Sequence, residues 1–599
     1  GFSLGPGSRK PRLRTYDCTY VRPYKYEDVS AVLPRVTELS KTTKIVDKQR
    51  LARNELAARS LGTHLVGYAP PIPSKHDAET LEAGAEKRLC KKMPDQQVVP
   101  MREVRSHCRY TCHKLFTPIP RDYVFDVDEW LATTHYSEQR KDQLRGVWFA
   151  LVTGLSNMAG KVYRKMKRFI VNCFGKTIDE EPSPLHFSQH PFHTAALHWD
   201  DKYYKNKSFI KAESYPVYKH ARWINSRSDQ FKVLTGPVFK AIEKEVFKLP
   251  CFIKKVPVMD RAKYINDMMG QLDGTFIATD YSSFERAFNP AIVKAIEMQM
   301  YKYMMKNHPE MWNVVEIIEK GLTSDQFCGA SSVRVKTQAR MSGDMCTSLG
   351  NGFTNFLIMS YWAHKNNFEF CGVVEGDDGL FRVPSEDLIP PSEFYNELGF
   401  EIKLVRTDRL NEGGFCKLYY APDEPENLQD PIPVVLRTGW TLSSKMHGGP
   451  ETMRELLRAK GFSLMCETPH CPIINAMAKW IMRITEGSEI AAPETWWEHE
   501  RWRNYDAHRA TEKLISGPTI GQRGFVERFW GIAIEDQLEI EEWFNNSNAI
   551  EPIASTKLLD YAAGFGVSDD DSTHCQTGYP DWFHSYHTRL VHQSPGTAW

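Results

Sequence analysis

The sequence predicts an α+β protein with several subdomains. Its 599 residues are too many for one compact hydrophobic core, so roughly two to four subdomains are expected. Predicted strands and helices alternate in the middle of the chain, and mainly helical regions flank them. Hydrophobic residues make up 41% of the chain and charged residues 25%, which is typical of a folded globular protein.

The predicted elements follow a definite order along the chain. In the first hundred residues a basic cluster and several prolines favour an extended arm that packs on another part of the molecule. Helices are expected at 126–174, 235–247, 289–305, 343–366 and 391–398. Strands are expected at 209–216, 221–225 and 271–280, with a strand hairpin at 371–382. From about residue 445 onward the sequence indicates a mainly helical region.

Charge and cysteine content restrict the class of protein. The net charge of +1, from 76 basic and 75 acidic side chains, argues against a uniformly basic nucleic-acid coat but is compatible with a basic channel. Thirteen cysteines, an odd number without a recognisable secretory leader, indicate free thiols in a reducing compartment. No apolar run reaches the roughly 18–20 residues of a spanning helix, so any membrane association is expected to come from a partner or from a segment outside this chain.

The first segment with chemical content is a hydrophobic strand that ends in Asp280 and is followed by a tight turn and Glu285. Such a strand places a carboxylate on the rim of a sheet, where it can bind a cation. Asp280 could equally cap the helix that follows it.

The second segment is a Ser342-Gly343 pair followed by a helix that carries Thr347 and Asn351. The pair predicts a flexible loop, and residues four apart lie on one face of a helix. A hydroxyl and an amide on one face can read a ribose or a base edge through hydrogen bonds. Capping of the helix by Ser342 or Asp344 would explain one of these residues but not the spacing.

The third segment is a turn, Gly376-Asp377-Asp378, between two short apolar strands. Two adjacent carboxylates are costly there unless a cation neutralises them, which is what a two-metal phosphoryl-transfer site requires. A solvated hairpin tip would use the same residues, because Gly and Asp suit loops that visit positive φ.

The fourth segment is basic and includes Lys211, Glu213, Arg222 and Arg227. Cations that alternate with apolar residues suit a strand that directs positive charge at a triphosphate. A solvated charged strand is the competing interpretation.

In this order and spacing, the four segments resemble the motifs of the RNA-dependent RNA polymerases of positive-strand RNA viruses, closest to the tombusvirus-, nodavirus- and hepatitis C-type group. The most specific part is Ser342-Gly343 with Thr347 and Asn351, followed by the Gly-Asp-Asp turn. The basic segment at 209–227 resembles motif F of that family. Residues 398–403 resemble motif D, and residues 414–419 resemble motif E.

The resemblance implies a right-hand polymerase of fingers, palm and thumb, with a ferredoxin-like antiparallel palm sheet and encircling fingertips. The basic N-terminal arm is the candidate for the bridge between fingers and thumb. The implied boundaries are fingers at 1–270 and 305–340, palm at 271–304 and 341–425, and thumb at 426–599.

The resemblance also implies that the protein replicates and transcribes a viral RNA genome from NTPs by two-metal-ion nucleotidyl transfer. It implies that Asp280 and Asp377, supported by Asp378, hold two Mg²⁺ or Mn²⁺ ions. Lys403 is a candidate general acid for pyrophosphate departure. The implied nucleotide-binding residues are Lys211, Arg222, Arg227, Glu285, Ser342, Thr347 and Asn351.

Glu285 departs from the family pattern, which usually has an aspartate five residues after the first acid. The extra methylene extends the reach of the carboxylate by about an ångström. We expect Glu285 nevertheless to hydrogen-bond Asn351 and to take part in ribose selection.

Template and product RNA, NTPs and other viral replication proteins are the expected partners, and the expected location is the host cytoplasm, in membrane-associated complexes reached through those partners. A reverse transcriptase is one alternative, since it shares the palm and the paired aspartates. It typically carries Tyr-x-Asp-Asp and lacks the Ser-Gly, Thr and Asn pattern. The second alternative is a catalytically dead RNA-binding replication protein. The presence of Asp280, Asp377, Asp378 and Arg222 argues against it.

Two groups of cysteine and histidine residues are candidates for structural zinc, although neither has standard finger spacing. The first group is Cys90, His107, Cys108, Cys112 and His113, and the second is Cys466, His470 and Cys471. Buried, unliganded cysteines are the alternative in a reducing compartment.

Overall fold

The structure is a computed structural model. It describes residues 14–17, 58–73, 78–134, 136–153, 198–217, 219–330, 333–421, 424–443, 445, 448–493 and 505–565.

The strands are β1 Arg14–Asp17, β2 Arg59–Ser60, β3 Asn206–Ile210, β4 Trp223–Arg227, β5 Thr275–Tyr281, β6 Gln326–Ala330, β7 Val333–Thr337, β8 Cys371–Glu375, β9 Asp378–Val383, β10 Ile402–Thr407, β11 Tyr419–Ala421, β12 Glu424–Leu428 and β13 Trp440–Thr441.

The helices are α1 Ala78–Ala85, α2 Val98–Leu115, α3 Val127–Ala132, α4 Glu138–Thr153, α5 Asp229–Val246, α6 Arg261–Met269, α7 Phe284–Ala287, α8 Pro290–Ala295, α9 Glu297–Met304, α10 Trp312–Thr323, α11 Thr347–Lys365, α12 Ser392–Glu397, α13 Pro431–Thr438, α14 Pro450–Glu467, α15 Ile474–Ile484, α16 Ala507–Ser516, α17 Ile520–Trp530, α18 Ile534–Asn546 and α19 Thr556–Ala562. A π-helical segment follows α1 at Glu86–Cys90. Short 3₁₀ segments lie at Asp201–Tyr204, Ile253–Lys255, Val258–Asp260, Pro309–Met311, Glu386–Leu388, Leu410–Glu412 and Ala563–Phe565.

A four-stranded antiparallel sheet occupies the centre of the molecule, with strand order β10-β5-β9-β8. Side chains of β5 alternate between two cores, as the twofold period of a strand requires. Phe276 and Ala278 lie in a core with α6, whereas Ile277 and Tyr281 lie in a larger core that includes α11. Full burial of side chains such as Ile277 contributes about 1.5–3 kcal/mol each to folding. The sheet is thereby fixed between two layers of helices.

A second group of strands lies apart from the central sheet. Strands β6 and β7 form an antiparallel hairpin, and β1 pairs in parallel with β7. Strands β3 and β4 pair antiparallel, and β3 lies beside β6. The Asn206 Nδ2 donates to Gln326 Oε1 at 3.0 Å, and Gly329 N donates to Ser208 Oγ at 3.2 Å, so side chains fasten the two pairs together.

Residues 58–73 belong to the same core as the helices α13 to α15 and α17 to α19, although they are distant in sequence. Leu61, Leu65, Tyr68 and Ile72 are buried in that core, which we call the C-terminal helical cluster. Strand β2 pairs with β13, and Leu65 forms a parallel bridge to Ile553. The N-terminal part of the chain therefore completes the core of the C-terminal part.

Most of the predicted elements are confirmed, with shifted ends. The helices α5, α11 and α12, the strand β5 and the hairpin β8–β9 lie where the sequence predicts them. The helix expected at 289–305 is interrupted at Ile296, where ψ is −78°, and forms α8 and α9. The first part of the helix expected at 126–174 appears as α3 and α4, and the segment 154–174 lies outside the described residues.

Other expectations are corrected. The first hundred residues are not simply an extended arm, because α1, the π-helical segment and the start of α2 lie there. The strand predicted at 209–216 lies instead at β3 and ends at Ile210. The hairpin β6–β7 was not predicted, although Val333 and Val335 alternate with charged residues as in a half-buried strand. Within the described residues, no helix has the length and apolar character needed to cross a membrane.

Candidate active site

The Gly-Asp-Asp turn is a two-residue loop that joins β8 to β9. Glu375 pairs with Asp378 across the hairpin, which leaves Gly376 and Asp377 as the loop. Gly376 has φ of +65°, a conformation that a glycine adopts without a steric penalty. A Cβ at Gly352 of α11 would lie 3.6 Å from Gly376 N, so the helix runs directly beneath the turn.

A buried amide holds the turn on the sheet. Asn355 of α11 donates to the carbonyl of Asp377 at 3.1 Å and accepts from the Tyr281 hydroxyl at 3.2 Å. Thr279 Oγ1 donates to Gly379 O at 3.3 Å. Because Asn355 and Thr279 are buried, these bonds are shielded from water and fix the position of the Asp377 backbone.

The sheet register brings Asp280 to the same rim. Thr279 pairs with Gly379, so Asp280 lies beside Asp378 at the next position of the adjacent strand. Lys403 is paired directly with Asp280 from the other side. Side chains at paired positions lie on the same face, about 4.5–5.5 Å apart at Cβ. All three side chains are exposed to solvent, at the open end of the face opposite α11.

The carboxylates at this rim repel one another. Partial desolvation and, next, the charge of Asp377 raise the pKa of Asp378 to about 6, and the charge of Glu375 adds to this effect. Glu375 itself is neutralised by Arg261, at 2.7 Å. The rim therefore concentrates negative charge at Asp377 and Asp378, which favours a bound cation.

A strained turn lies beside these acids. Phe415 and Leu418 exchange backbone hydrogen bonds of 3.0 and 2.9 Å around Cys416 and Lys417. Both central residues have positive φ, 52° and 64°, which is rare for residues other than glycine. The Cys416 thiol lies 3.8 Å from Glu375 Oε2, so the turn packs against the tip of the β8–β9 hairpin.

Two of the predicted triphosphate-binding cations share one carboxylate. Lys211 lies 3.1 Å from Glu213, and Arg222 lies 3.3 Å from it. The Tyr215 hydroxyl also donates to Glu213, and Tyr68 donates to the Tyr215 carbonyl at 2.9 Å. Lys211 and Arg222 keep 41% and 40% of their side chains exposed, so they remain accessible to an anion.

The structure places Arg227 in a different role from the one that the resemblance implies. Its guanidinium forms a bidentate pair with Asp344, at 2.5 and 2.9 Å, and donates to Gln326 at 2.7 Å. Both charged side chains are only 2% exposed. In this conformation the side chain is buried and already neutralised, so it is not accessible to a nucleotide, and nucleotide binding by Arg227 stays a prediction.

The loop at Ser342-Gly343 is anchored on β4. Asn225 N donates to Ser342 O at 2.7 Å, and Gly343 has φ of +109°, where a Cβ would lie 3.0 Å from Asn225 O. Thr347, the first residue of α11, donates through Oγ1 to Asp344 O at 2.8 Å. Thr347 therefore supports the loop that precedes its own helix.

Asn351 lies one turn further along α11 and is 2% exposed. Its Oδ1 is buried and has no hydrogen-bond partner among the described residues. The expected hydrogen bond between Glu285 and Asn351, in which the Asn351 amide would donate to the carboxylate, is not formed within the described part of the chain, where Glu285 has Arg88 as its partner. An unpaired buried acceptor costs about 1–3 kcal/mol, so a donor brought by a ligand would be stabilised there.

Glu285 instead faces Arg88 from the N-terminal π-helical segment, at 3.9 Å. Burial and then the charge of Asp377 raise the pKa of Glu285, whereas Arg88 and Arg222 oppose the shift. Lys91, the residue directly after this segment, lies 2.7 Å from Glu401. The segment is therefore tied to the rim at two points.

A second buried ion pair supports the start of α11. Arg340 pairs with Glu297, and Tyr301 donates to the same carboxylate at 2.8 Å. Arg340 N also donates to Glu285 O at 3.0 Å. A Cβ at Gly350 would lie 2.2 Å from Glu297 Oε2, so only glycine fits against this pair.

Comparison with protein families decides what this arrangement is. The family model of viral RNA-dependent RNA polymerases matches residues 192–550, more than half of the chain. The chain belongs to the viral RNA-dependent RNA polymerases of positive-strand viruses. A search of the curated proteins finds no match.

The polymerase has a right-hand fold of mixed helix and strand, and as an enzyme it is an RNA-directed RNA polymerase, a nucleotidyltransferase. Its substrates are an RNA template and NTPs. Members of the family generally use divalent metal ions. Asp280, Asp377 and Asp378 offer oxygen donors at one rim, which suit Mg²⁺ in type and charge. Across the described ranges, no three or more Asp, Glu, His or Cys side chains form a compact metal-binding group.

The residues proposed for zinc make other contacts in the polymerase. His107 is buried, bonds through Nε2 to Ser360 at 3.0 Å and stacks on His364. Cys108 donates to Ile296 O at 3.3 Å, and Cys471 donates to Gln429 O at 3.3 Å. These side chains are accounted for by packing and hydrogen bonds.

The contacts of three residues near the site were not predicted from the sequence. Asn355 lies one helical turn after Asn351 and faces the turn, a spacing that the sequence does show. Arg88 and Glu213 carry no such signal, because their partners Glu285 and Arg222 are reached only through the fold.

Proposed function

We propose that the polymerase copies a viral RNA genome by two-metal-ion nucleotidyl transfer at the rim formed by Asp280, Asp377 and Asp378. The observation that carries this proposal is the register of the central sheet, which brings Asp280 beside Asp378 at a turn held by Asn355. The three carboxylates would hold Mg²⁺ or Mn²⁺. Two such ions, when bound, activate the 3′-hydroxyl and stabilise the leaving pyrophosphate.

The surrounding side chains bind and orient the nucleotide. Lys211 and Arg222, held together by Glu213, are placed to neutralise the triphosphate as it enters. The unpaired Oδ1 of Asn351 is an acceptor for a ribose 2′-hydroxyl, the group that distinguishes RNA from DNA precursors. Lys403, opposite Asp280, is the candidate donor of a proton to the departing pyrophosphate.

We assign the subdomains on the same basis. The central sheet with α11 corresponds to a ferredoxin-like palm, at 271–304 and 341–425. The β1-β7-β6 and β3-β4 strands belong to the fingers, at 1–270 and 305–340, and the helices after residue 426 form the thumb. Residues 58–73 would supply the encircling bridge, because they pack in the C-terminal helical cluster while Tyr68 bonds to Tyr215 beside the cations.

The test is template-dependent incorporation of NTPs by the purified chain with Mg²⁺. We expect Asp377→Ala to reduce incorporation to background, and Asp387→Ala, which removes an exposed acid just beyond β9, to leave it unchanged. Retained incorporation in Asp377→Ala would refute the mechanism. Preference for dNTPs would favour a reverse transcriptase, and a folded wild-type protein without incorporation would favour a dead RNA-binding replication protein.

A second measurement addresses the sugar. Asn351→Ala should narrow the preference for NTPs over dNTPs, because it removes the proposed acceptor of the 2′-hydroxyl. Glu285→Ala should alter this preference less than Asn351→Ala, since Glu285 faces Arg88 rather than Asn351. We also propose that the polymerase works with other viral replication proteins in membrane-associated complexes of the host cytoplasm.

A further inference from the structure

Glu285, the acid that departs from the family pattern, is held by a residue from the N-terminal part of the chain. Its Oε2 lies 3.9 Å from a guanidinium nitrogen of Arg88, and its side chain is 17% exposed. Within the described ranges Arg88 has no other acidic partner, and Oε1 of Glu285 accepts no hydrogen bond. One carboxylate oxygen therefore faces a cation, while the other can accept a hydrogen bond from a ligand.

Arg88 belongs to the N-terminal π-helical segment, which is anchored on the strands outside the central sheet. Leu89 and Cys90 are buried in a core with Trp223 of β4. Thr337 Oγ1, at the end of β7, donates to Leu89 O at 2.9 Å, and both residues are shielded from water. Because its apolar side is fixed in this core, the segment holds the backbone of Arg88 in one position beside the active-site rim.

The same part of the chain holds the turn that leads from β5 into α7. Ser283 has φ of +57°, in the left-handed region that residues other than glycine rarely adopt. Its Oγ donates to Lys87 O at 3.0 Å, and Lys91 Nζ donates to Ser282 Oγ at 2.6 Å. Two hydrogen bonds to one short stretch of chain thus support a turn that costs free energy to form.

The main chain of Glu285 is fixed as well. Arg340 N donates to Glu285 O at 3.0 Å, and the Arg340 side chain forms a buried pair with Glu297. The Glu285 carboxylate can therefore move only by rotation about its side-chain bonds. Glutamate has one more such bond than the aspartate that is usual in the family, so the position of its carboxylate depends more on a partner. Arg88 supplies that partner.

The balance of charge indicates that Arg88 serves Glu285 rather than the triphosphate. Arg88 and Glu285 compensate each other, because each has one opposite charge as its partner. Lys211 and Arg222 share the single carboxylate of Glu213, which leaves one positive charge in excess. An anion is attracted by the uncompensated charge. Arg88 is thus better suited to hold a carboxylate than to bind a phosphate.

We propose that Arg88 is a positioning residue for the sugar of the incoming nucleotide. It holds Oε2 of Glu285, so that Oε1 accepts a hydrogen bond from the ribose 3′-hydroxyl. A hydroxyl donates a single hydrogen bond, and the 2′-hydroxyl is assigned to Asn351 Oδ1, so each ribose hydroxyl has one acceptor. This inference rests on the proposed function and adds to it a residue of the N-terminal segment that does not itself contact the nucleotide.

Incorporation of a single nucleotide by the full chain on a primed RNA template tests the proposal, with ATP, 2′-deoxy-ATP and 3′-deoxy-ATP compared by kcat/KM. Arg88→Met should reduce the preference for ATP over 3′-deoxy-ATP by at least about tenfold, which is the contribution of one hydrogen bond to a charged acceptor, and should change the preference over 2′-deoxy-ATP by less than about twofold. Arg88→Lys, which keeps the positive charge, should retain most of the 3′ preference. Arg102→Met, which removes an exposed arginine from α2, is the matched control and should change neither ratio.

Variants of Glu285 complete the test. Glu285→Ala should lose the same preference as Arg88→Met, and Arg88→Met/Glu285→Ala should lose no more than either single variant, because the two residues act as one unit. Equal losses with all three nucleotides would overturn the proposal in favour of a structural role, and a raised KM with unchanged sugar ratios would overturn it in favour of triphosphate binding by Arg88. Incorporation that persists in Asp377→Ala would refute the proposed function, whereas unchanged sugar ratios in an active Arg88→Met enzyme would refute this inference alone.

Discussion

Removal of Arg227 should destabilise the loop that precedes α11 more than removal of any exposed cation. The guanidinium makes three hydrogen bonds, two to Asp344 and one to Gln326, and both ionised groups are 2% exposed. Burial alone would lower the pKa of Arg227, but the adjacent Asp344 outweighs this effect and the pKa is raised. Arg227→Met leaves the Asp344 carboxylate buried without its partner, and breaking a buried pair in this way costs about 3–5 kcal/mol.

Hydrogen exchange measures this cost where it arises. For peptides that cover 340–351, a loss of about 3–5 kcal/mol corresponds to a fall in amide protection by about two to four orders of magnitude. The double variant Arg227→Met/Asp344→Leu removes both charges and should recover most of the protection. Arg222→Met, which removes an exposed cation from the same strand region, is the matched control and should leave protection unchanged.

Two results would refute this reasoning. A fall in protection of less than about tenfold in Arg227→Met would mean that the pair contributes little to the loop. A double variant as unstable as the single one would mean that lost packing, not the unpaired carboxylate of Asp344, causes the effect. If the loop reads the ribose, Arg227→Met should also raise the KM for NTPs more than it lowers kcat.

Three further results are expected. Asn355→Ala removes the buried support of the turn, so it should lower kcat with little change in KM in steady-state kinetics. It should also lower the free energy of unfolding in urea by about 1–3 kcal/mol. An unchanged kcat would contradict this prediction. Burial and the nearby imidazole of His364 lower the pKa of His107 from 6.5 to about 4, so the unfolded chain takes up the proton first as the pH is lowered. The free energy of unfolding should therefore decrease as the pH decreases, by about 2 kcal/mol at pH 5 relative to neutral pH. Unfolding of His107→Gln should lack this dependence, and equal losses in both proteins would exclude it. Gly350→Ala should lower the free energy of unfolding by about 1–3 kcal/mol in thermal unfolding, because the new Cβ meets the Glu297 carboxylate. Gly524→Ala, with open space around the Cβ, should instead stabilise its helix. Equal effects of the two variants would contradict the packing argument.

The parts of the site that are local in sequence could be predicted from it. The Gly-Asp-Asp turn lies between two apolar runs, and the strand that ends in Asp280 is a continuous apolar stretch, so both elements are visible without the fold. The Ser-Gly pair before α11 is visible in the same way. Pairing of β5 with β9 was implied only by the resemblance, and the register that aligns Thr279 with Gly379 follows from the buried face of each strand.

The parts that depend on distant partners could not be predicted. Arg227 has the same local sequence pattern as Arg222. Only the fold shows that Arg227 is buried and neutralised by Asp344, which is distant in sequence, whereas Arg222 stays partly exposed. The expected bond between Glu285 and Asn351 assumed a family geometry that the longer side chain does not reproduce here. The break between α8 and α9 at Ile296 likewise has no proline or glycine to announce it.

The contribution of residues 58–73 to the C-terminal helical cluster sets the order in which the chain can mature. During synthesis these residues emerge early, but the helices that cover Leu61 and Leu65 are made several hundred residues later. The apolar side chains of residues 58–73 therefore remain exposed to solvent or bound by a chaperone until α19 has left the ribosome and the core can form. For the same reason a fragment that starts at residue 426 would leave its own core open, and an isolated C-terminal region would need residues 58–73 added in trans or by fusion to fold.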